Sequence, residues 1–217
     1  MSDWDAEEHW PTDGRPALLG QGAISALMQD GVTSPEGEHL FREFLRHHGS
    51  VAIIALDDDG RVAVVHQYRH AVGMRLIEPP AGLMDVPGEP GWDAAKRELA
   101  EEAGLAADDW RVLVDFASSQ GISTEVARIF LARGLHQVGR PAGFAAHGEE
   151  IDMGLDWVPL DDVVAGVRAG IVNNVALAYG CTALKLALLD GGVDRLRAAD
   201  APWLIHEVKQ RLDAARG

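Results

Sequence analysis

The chain has 217 residues, with 19 lysines and arginines against 34 aspartates and glutamates, so its formal charge is −15 with histidine neutral. A content of 47% hydrophobic and 24% charged residues is that of an ordinary globular chain, expected to form one compact domain with an appendage. So acidic a balance argues against sequence-independent nucleic-acid binding, which needs basic residues to displace phosphate counterions, and against a polybasic membrane contact.

Cys181 is the only cysteine, which leaves no intrachain disulfide to form. The N-terminal residues lack both the basic start and the apolar run of a signal peptide, and the apolar stretch 171–189 is interrupted by Asn173, Asn174 and Lys185. A cytoplasmic protein without membrane contact is therefore expected.

In chain order, residues 1–15 are mostly polar and are expected to be flexible. Residues 16–46 carry turn signals at Gly31 and at Pro35-Glu36-Gly37 and are expected to form a small β segment. The run 51–56 reads as a buried strand, and Asp57-Asp58-Asp59-Gly60 as a hairpin turn into a second strand, 62–68. Calcium binding at that turn is rejected, because the position five residues before the glycine is Ala55 and not an acid. A Pro/Gly-rich loop covers 79–91, and a helix is predicted from Trp92 to Ala103, stopped by Gly104. Strands are predicted at 112–116 and 126–131, a loop at 139–150, and helices at 160–170, 182–189 and 203–215. The main domain is placed at 47–190, with a helical segment at 191–217.

Chemistry concentrates in Arg97-Glu98-Leu99-Ala100-Glu101-Glu102. Positions i, i+3 and i+4 of a helix share a face, so Glu98, Glu101 and Glu102 point the same way. Like charges at that spacing repel by a few tenths of a kcal/mol, so such a cluster is either solvated or neutralised by a cation. Carboxylate oxygens suit a hard ion such as Mg²⁺. Arg97 precedes Glu98 by one residue and Glu101 by four, and braces part of the cluster. By composition alone, a merely solvated face fits as well. The histidines give no defensible metal site, since His47 and His48 are adjacent and His66 and His70 fall on a strand and a turn.

Taken with their surroundings, these residues resemble the Nudix box. Gly82, Glu89, Arg97-Glu98-Leu99, Glu101-Glu102, Gly104 and Leu105 match it in type. Spacing matches from Glu89 onward, and six residues instead of five separate Gly82 from Glu89. Gln67-Tyr68-Arg69 followed by Glu78-Pro79-Pro80-Ala81-Gly82 is similar to the ADP-ribose pyrophosphatase branch, over roughly 42–174.

The resemblance implies an α/β Nudix fold, an α/β/α sandwich with a mixed sheet, preceded by the small N-terminal β segment. It implies that the Ala81 carbonyl, Glu98 and Glu102 hold divalent cations, with Glu101 close by and Arg97 in the catalytic set. Mg²⁺ is expected, with Mn²⁺ as a substitute. A glutamate well beyond the box is expected to assist the attacking water, with Glu150 preferred over Glu149. Arg42, Arg69, Glu78 and Glu125 are candidate substrate contacts, although salt bridges or loop charges account for them too. The implied reaction is hydrolysis of ADP-ribose to AMP and ribose 5-phosphate. The branch commonly carries proline where this chain has Gln120, which leaves another nucleoside diphosphate sugar or a dinucleotide as the alternative. A non-catalytic nucleotide sensor is disfavoured because Glu98, Glu101 and Glu102 are all present. A homodimer with an exchanged N-terminal segment is also implied.

Overall fold

The computed structural model describes residues 5–141 and 154–216. They group into two compact units, one comprising residues up to 49, 117–126 and 203 onward, the other 50–116 and 127–202.

In the first unit, β1 (Ala17–Gln21), β2 (Ser25–Thr33) and β3 (His39–His47) form an antiparallel sheet in that order, and α4 (Leu204–Arg216) belongs with them. The expected turn at Pro35–Gly37 joins β2 to β3, closed by the Gly37 amide donating to the Ser34 carbonyl at 2.9 Å. Gly31, read as a turn signal, instead lies within β2 opposite Phe41. Its lack of a side chain serves a close approach: a Cβ there would lie 2.1 Å from Asp13 Oδ2. The N-terminal stretch runs along β2, with the Asp13 amide donating to Gly31 and the Thr33 amide to Pro11.

In the second unit, β4 (Ser50–Ala55) is the centre of the packing. It pairs antiparallel with β7 (Ala81–Leu83) and parallel with β9 (Val126–Gln137). With β8 (Leu105–Ala117) and β11 (Arg197–Ala198) these strands make a five-stranded mixed sheet in the order β11-β8-β9-β4-β7. A second sheet takes the order β10-β5-β6, from β5 (Arg61–Arg69), β6 (Met74–Glu78) and β10 (Leu155–Pro159). The Asp57–Gly60 turn forms as expected but joins no paired hairpin. Both edges of β4 are already taken, so β5 leaves for the other sheet and the two strands share one bridge, Leu56 with Val62.

Alternation along β4 builds the layers. Val51, Ile53 and Ala55 pack with Ala94, Ala95 and Leu99 of α1 (Gly91–Ala103). Ala52 and Ile54 pack on the other face with Leu160 and Val163 of α2 (Leu160–Arg168) and with Leu177, Cys181 and Leu184 of α3 (Val175–Leu189). Ile53, Ile54, Ile129, Phe130 and Leu131 are all fully buried, each contributing roughly 1.5–3 kcal/mol of transfer free energy. The α/β/α sandwich follows from this two-sided strand pattern.

Three elements extend well beyond their predicted limits, among them β9, which runs on from 131 to Gln137. Strand β8 begins directly after α1 at Leu105, and α3 starts at Val175, well ahead of Thr182. Asn174 accounts for the latter by capping the helix, its Oδ1 accepting from the Leu177 amide at 2.9 Å. Gly180 lies mid-helix because a Cβ there would meet Ile54 at 2.7 Å and Ile129 at 2.9 Å.

Candidate active site on helix α1

Helix α1 ends where the sequence predicts. Gly104 takes φ 66° in the left-handed region, and its amide caps the Leu99 and Ala100 carbonyls. The buried face of the helix carries Ala94, Ala95, Leu99 and Ala103, and it includes Glu98 and Glu102. Burying two glutamates one turn apart is costly unless their charge is met. Each lies against the backbone of Ala81-Gly82. Glu102 Oε2 accepts from the Ala81 amide at 2.9 Å. Glu98 lies so close to Gly82 that a Cβ there would come 2.0 Å from its carboxyl carbon. The glycine of the motif is therefore a clearance that only a missing side chain provides.

Arg97 supplies the nearest positive charge. Its Nε and Nη2 donate to the two oxygens of Glu89 at 3.0 and 2.9 Å, a paired geometry that fixes the guanidinium. Its Nη1 donates to Glu98 Oε1 at 2.5 Å and to Glu101 Oε2 at 3.3 Å. These bonds, first those to Glu89, raise its pKa further above the ordinary arginine value. Burial pushes the Glu98 carboxyl above the usual carboxylate range, while Arg97 acts against that shift. One guanidinium thus serves three carboxylates, Glu89, Glu98 and Glu101, while Glu102 stands one turn away on the Ala81 amide.

This site fits a divalent cation. The donors are hard carboxylate oxygens beside exposed backbone, and Mg²⁺ is typically held by only one or two carboxylates besides waters and substrate phosphates. Among the described residues no group of three or more histidine, cysteine, aspartate or glutamate side chains is drawn together as a ready metal cage. The reason lies in Arg97, which engages Glu98 and Glu101 itself.

The structure brings Ala81, Arg97, Glu98, Glu101 and Glu102 together. Two of the predicted substrate contacts pair with each other: Arg69 Nε and Nη2 donate to Glu78 Oε1 and Oε2 at 2.9 and 2.6 Å. Glu78 is 2% exposed, so its carboxylate is fully engaged beneath that arginine. Arg42 and Glu125 belong to the first unit. Arg42 lies exposed on β3, donating to the Phe41 carbonyl at 3.0 Å. Glu125 accepts from Ser118 Oγ at 2.5 Å, with His47 Nδ1 at 4.0 Å. Glu149 and Glu150 lie outside the described residues. Sequence reasoning gave Glu89 no role beyond its place in the box, although its fixed distance before Arg97 was the available signal.

Fold and site together define a class. The chain matches the NUDIX domain over residues 46–175, and it belongs to that family. It is 46% identical over 187 residues to an ADP-ribose pyrophosphatase of Mycobacterium tuberculosis, covering 86% of this chain and 87% of that protein. An ADP-ribose pyrophosphatase of Bacillus subtilis is 34% identical over 165 residues, or 76% of this chain and 87% of the relative. A crystal structure described as an ADP compounds hydrolase superposes with a TM-score of 0.70 at 17% identity, covering 87% of this chain and all of that one, a likeness of fold. The protein is accordingly a Nudix hydrolase. Among the described residues no helix is long and apolar enough to cross a membrane.

Proposed function

We propose that the protein hydrolyses the diphosphate of ADP-ribose to AMP and ribose 5-phosphate, with Glu98, Glu102 and the Ala81 carbonyl holding Mg²⁺, or Mn²⁺ in its place. The observation that carries this reading is the charge imbalance at α1, three carboxylates on one guanidinium with a fourth, Glu102, held against the Ala81-Gly82 backbone. Similarity to two proteins named ADP-ribose pyrophosphatase supports the substrate. A divalent ion at this place supplies charge neutralisation of the diphosphate and activation of water.

The side chains do the rest. Arg97, clamped by Glu89, keeps Glu98 and Glu101 from turning out to solvent. Glu150, with Glu149 as the competing neighbour, accepts the proton of the attacking water. The water oxygen joins one phosphorus as its bond to the bridging oxygen breaks, and the proton passes through that carboxylate to solvent. Arg42, Arg69 and Glu125 contact the substrate, and Glu78 positions the Arg69 guanidinium. The protein is a cytoplasmic homodimer in which residues 16–46 are exchanged between subunits.

A substrate panel with Mg²⁺, scored chromatographically by AMP release, tests this reading. ADP-ribose is expected to give the highest kcat/KM, EDTA to abolish turnover, and Glu150→Gln to lower kcat with little change in KM. Preference of about tenfold or more for another nucleoside diphosphate sugar or a dinucleotide would transfer the same chemistry to that substrate. No turnover of any would refute the enzyme. Removing residues 1–46 should abolish dimerisation and activity together, and an active monomer would contradict the exchange.

A further inference from the structure

The first unit contains a feature opposite in sign to α1. A cavity of about 220 Å³ opens where the segment before β1, strand β3 and the end of α4 meet, lined by the arginines Arg15, Arg46 and Arg216. In a chain of net charge −15, several arginines are clamped by acids: Arg61 on Asp57, Arg69 on Glu78, Arg97 on Glu89, Arg128 on Asp115. Here only Arg216 is neutralised, its Nη2 lying 2.9 Å from Oδ2 of the buried Asp30. No carboxylate among the described residues pairs with Arg15 or Arg46, so two uncompensated positive charges remain. Like charges converging on one cavity repel, and an anion between them reverses the sign of that energy.

The walls specify more than charge. Phe44, Met28 and Leu18 stand opposite one another across β1-β2-β3, since Met28 pairs with Leu18 on one side and with Phe44 on the other, and so they share one face. The Arg216 guanidinium lies over the Phe44 ring at 4.7 Å, which holds that arginine flat against an apolar floor. A cavity of roughly 150 Å³ accommodates a benzene ring, so this one has room for a ring together with an anionic head. Guanidinium forks match phosphate oxygens.

We propose that this cavity is a second binding site, for a small phosphate monoester with an apolar or ring-bearing portion: the phosphate between Arg15 and Arg46, the ring against Phe44, Met28 and Leu18. The site uses no residue of α1 and stands independently of the reading given to that helix.

Calorimetric titration of the full chain in EDTA tests it, with phenyl phosphate, inorganic phosphate and citrate as probes. Phenyl phosphate should bind, and more tightly than inorganic phosphate or citrate. Its affinity should fall about 10–100-fold in Arg15→Gln/Arg46→Gln, the loss expected for charge-assisted hydrogen bonds, and persist in Glu102→Gln. Circular dichroism checks that the variant folds, and should it not, Arg15→Gln alone, in the segment ahead of the sheet, gives the same reading. Absence of binding, unchanged affinity in the arginine variants, or loss of affinity in Glu102→Gln would overturn the site. Preference for citrate would overturn its assignment to a phosphate ester.

Discussion

Buried glutamates of the second unit, Glu78 on one side and Glu98 with Glu102 on the other, meet their charge in different ways. Glu78 is covered by the Arg69 guanidinium in a two-point pair, one cation to one carboxylate. Glu98 and Glu102 are also buried, at 9% and 8% exposure, but Glu98 shares its guanidinium with Glu89 and Glu101, and Glu102 accepts from the Ala81 amide. In the first arrangement the carboxylate fixes the direction of the guanidinium that the proposed reading turns toward substrate. In the second, one guanidinium serves three carboxylates, and that shortfall is what a divalent cation would fill. Burial of a carboxylate is thus not in itself the mark of a functional site. Incomplete compensation is.

The sharpest test of this contrast removes one charge from the uncompensated side. Glu102→Gln retains an acceptor for the Ala81 amide, so the fold should survive, while kcat should fall at least about 100-fold through loss of a metal-holding carboxylate. Steady-state kinetics with circular dichroism as control would show this, and activity near wild type would remove Glu102 from the site.

On the compensated side the expected damage is to stability. Arg69→Met leaves Glu78 buried without its partner. The full cost of such a change is about 3–5 kcal/mol, and partial exposure of Arg69 reduces it to about 1–3 kcal/mol in denaturant unfolding. If Arg69→Met raised KM with unchanged stability, the pair would be a substrate contact first.

A third variant probes geometry with charge held constant. Gly82→Ala places a methyl group within 2.0–2.5 Å of the Glu98 carboxylate, which must swing away. Divalent-ion affinity should drop about tenfold or more while the thermal midpoint changes little. An unaltered affinity would show that Glu98 has no need of that cradle.

The smallest effect belongs to His47, in the first unit, whose pKa is lowered chiefly by burial, with Glu125 acting against the shift and His48 and Lys209 adding to it. Its native value lies below the unfolded one, so the unfolded chain binds the proton first as pH falls. The stability it contributes is full above the ordinary histidine range and is lost as pH drops through and below about 6.5. His47→Gln should flatten that part of a stability–pH profile, and an unchanged slope would refute the assignment.

Much of the fold was legible because it rests on local patterns. The continuous apolar run of β4, and the Gly104 stop of α1, needed only neighbours in sequence. What escaped depended on distant partners. Gly31 looked like a turn because nothing in the sequence reveals that Asp13 lies against it. The Asp57–Gly60 turn looked like a hairpin because β7 and β9, which occupy the edges of β4, come from far along the chain. The motif spacing placed Glu98, Glu101, Glu102 and Arg97 on one helix, and α1 carries them all. Pairing of Arg69 with Glu78 required knowing that β5 and β6 lie side by side. The arginine cavity draws on four segments, from Arg15 to Arg216, and no local signal announces it.

Calorimetric titration of Mg²⁺ into wild type, Glu102→Gln and Arg69→Met most directly tests the claim that α1 carries an unfilled charge deficit. Wild type and Arg69→Met, the latter under conditions where it remains folded, should bind with similar affinity, while Glu102→Gln should bind about 10–100-fold more weakly. Equal affinity in Glu102→Gln and wild type would contradict the account.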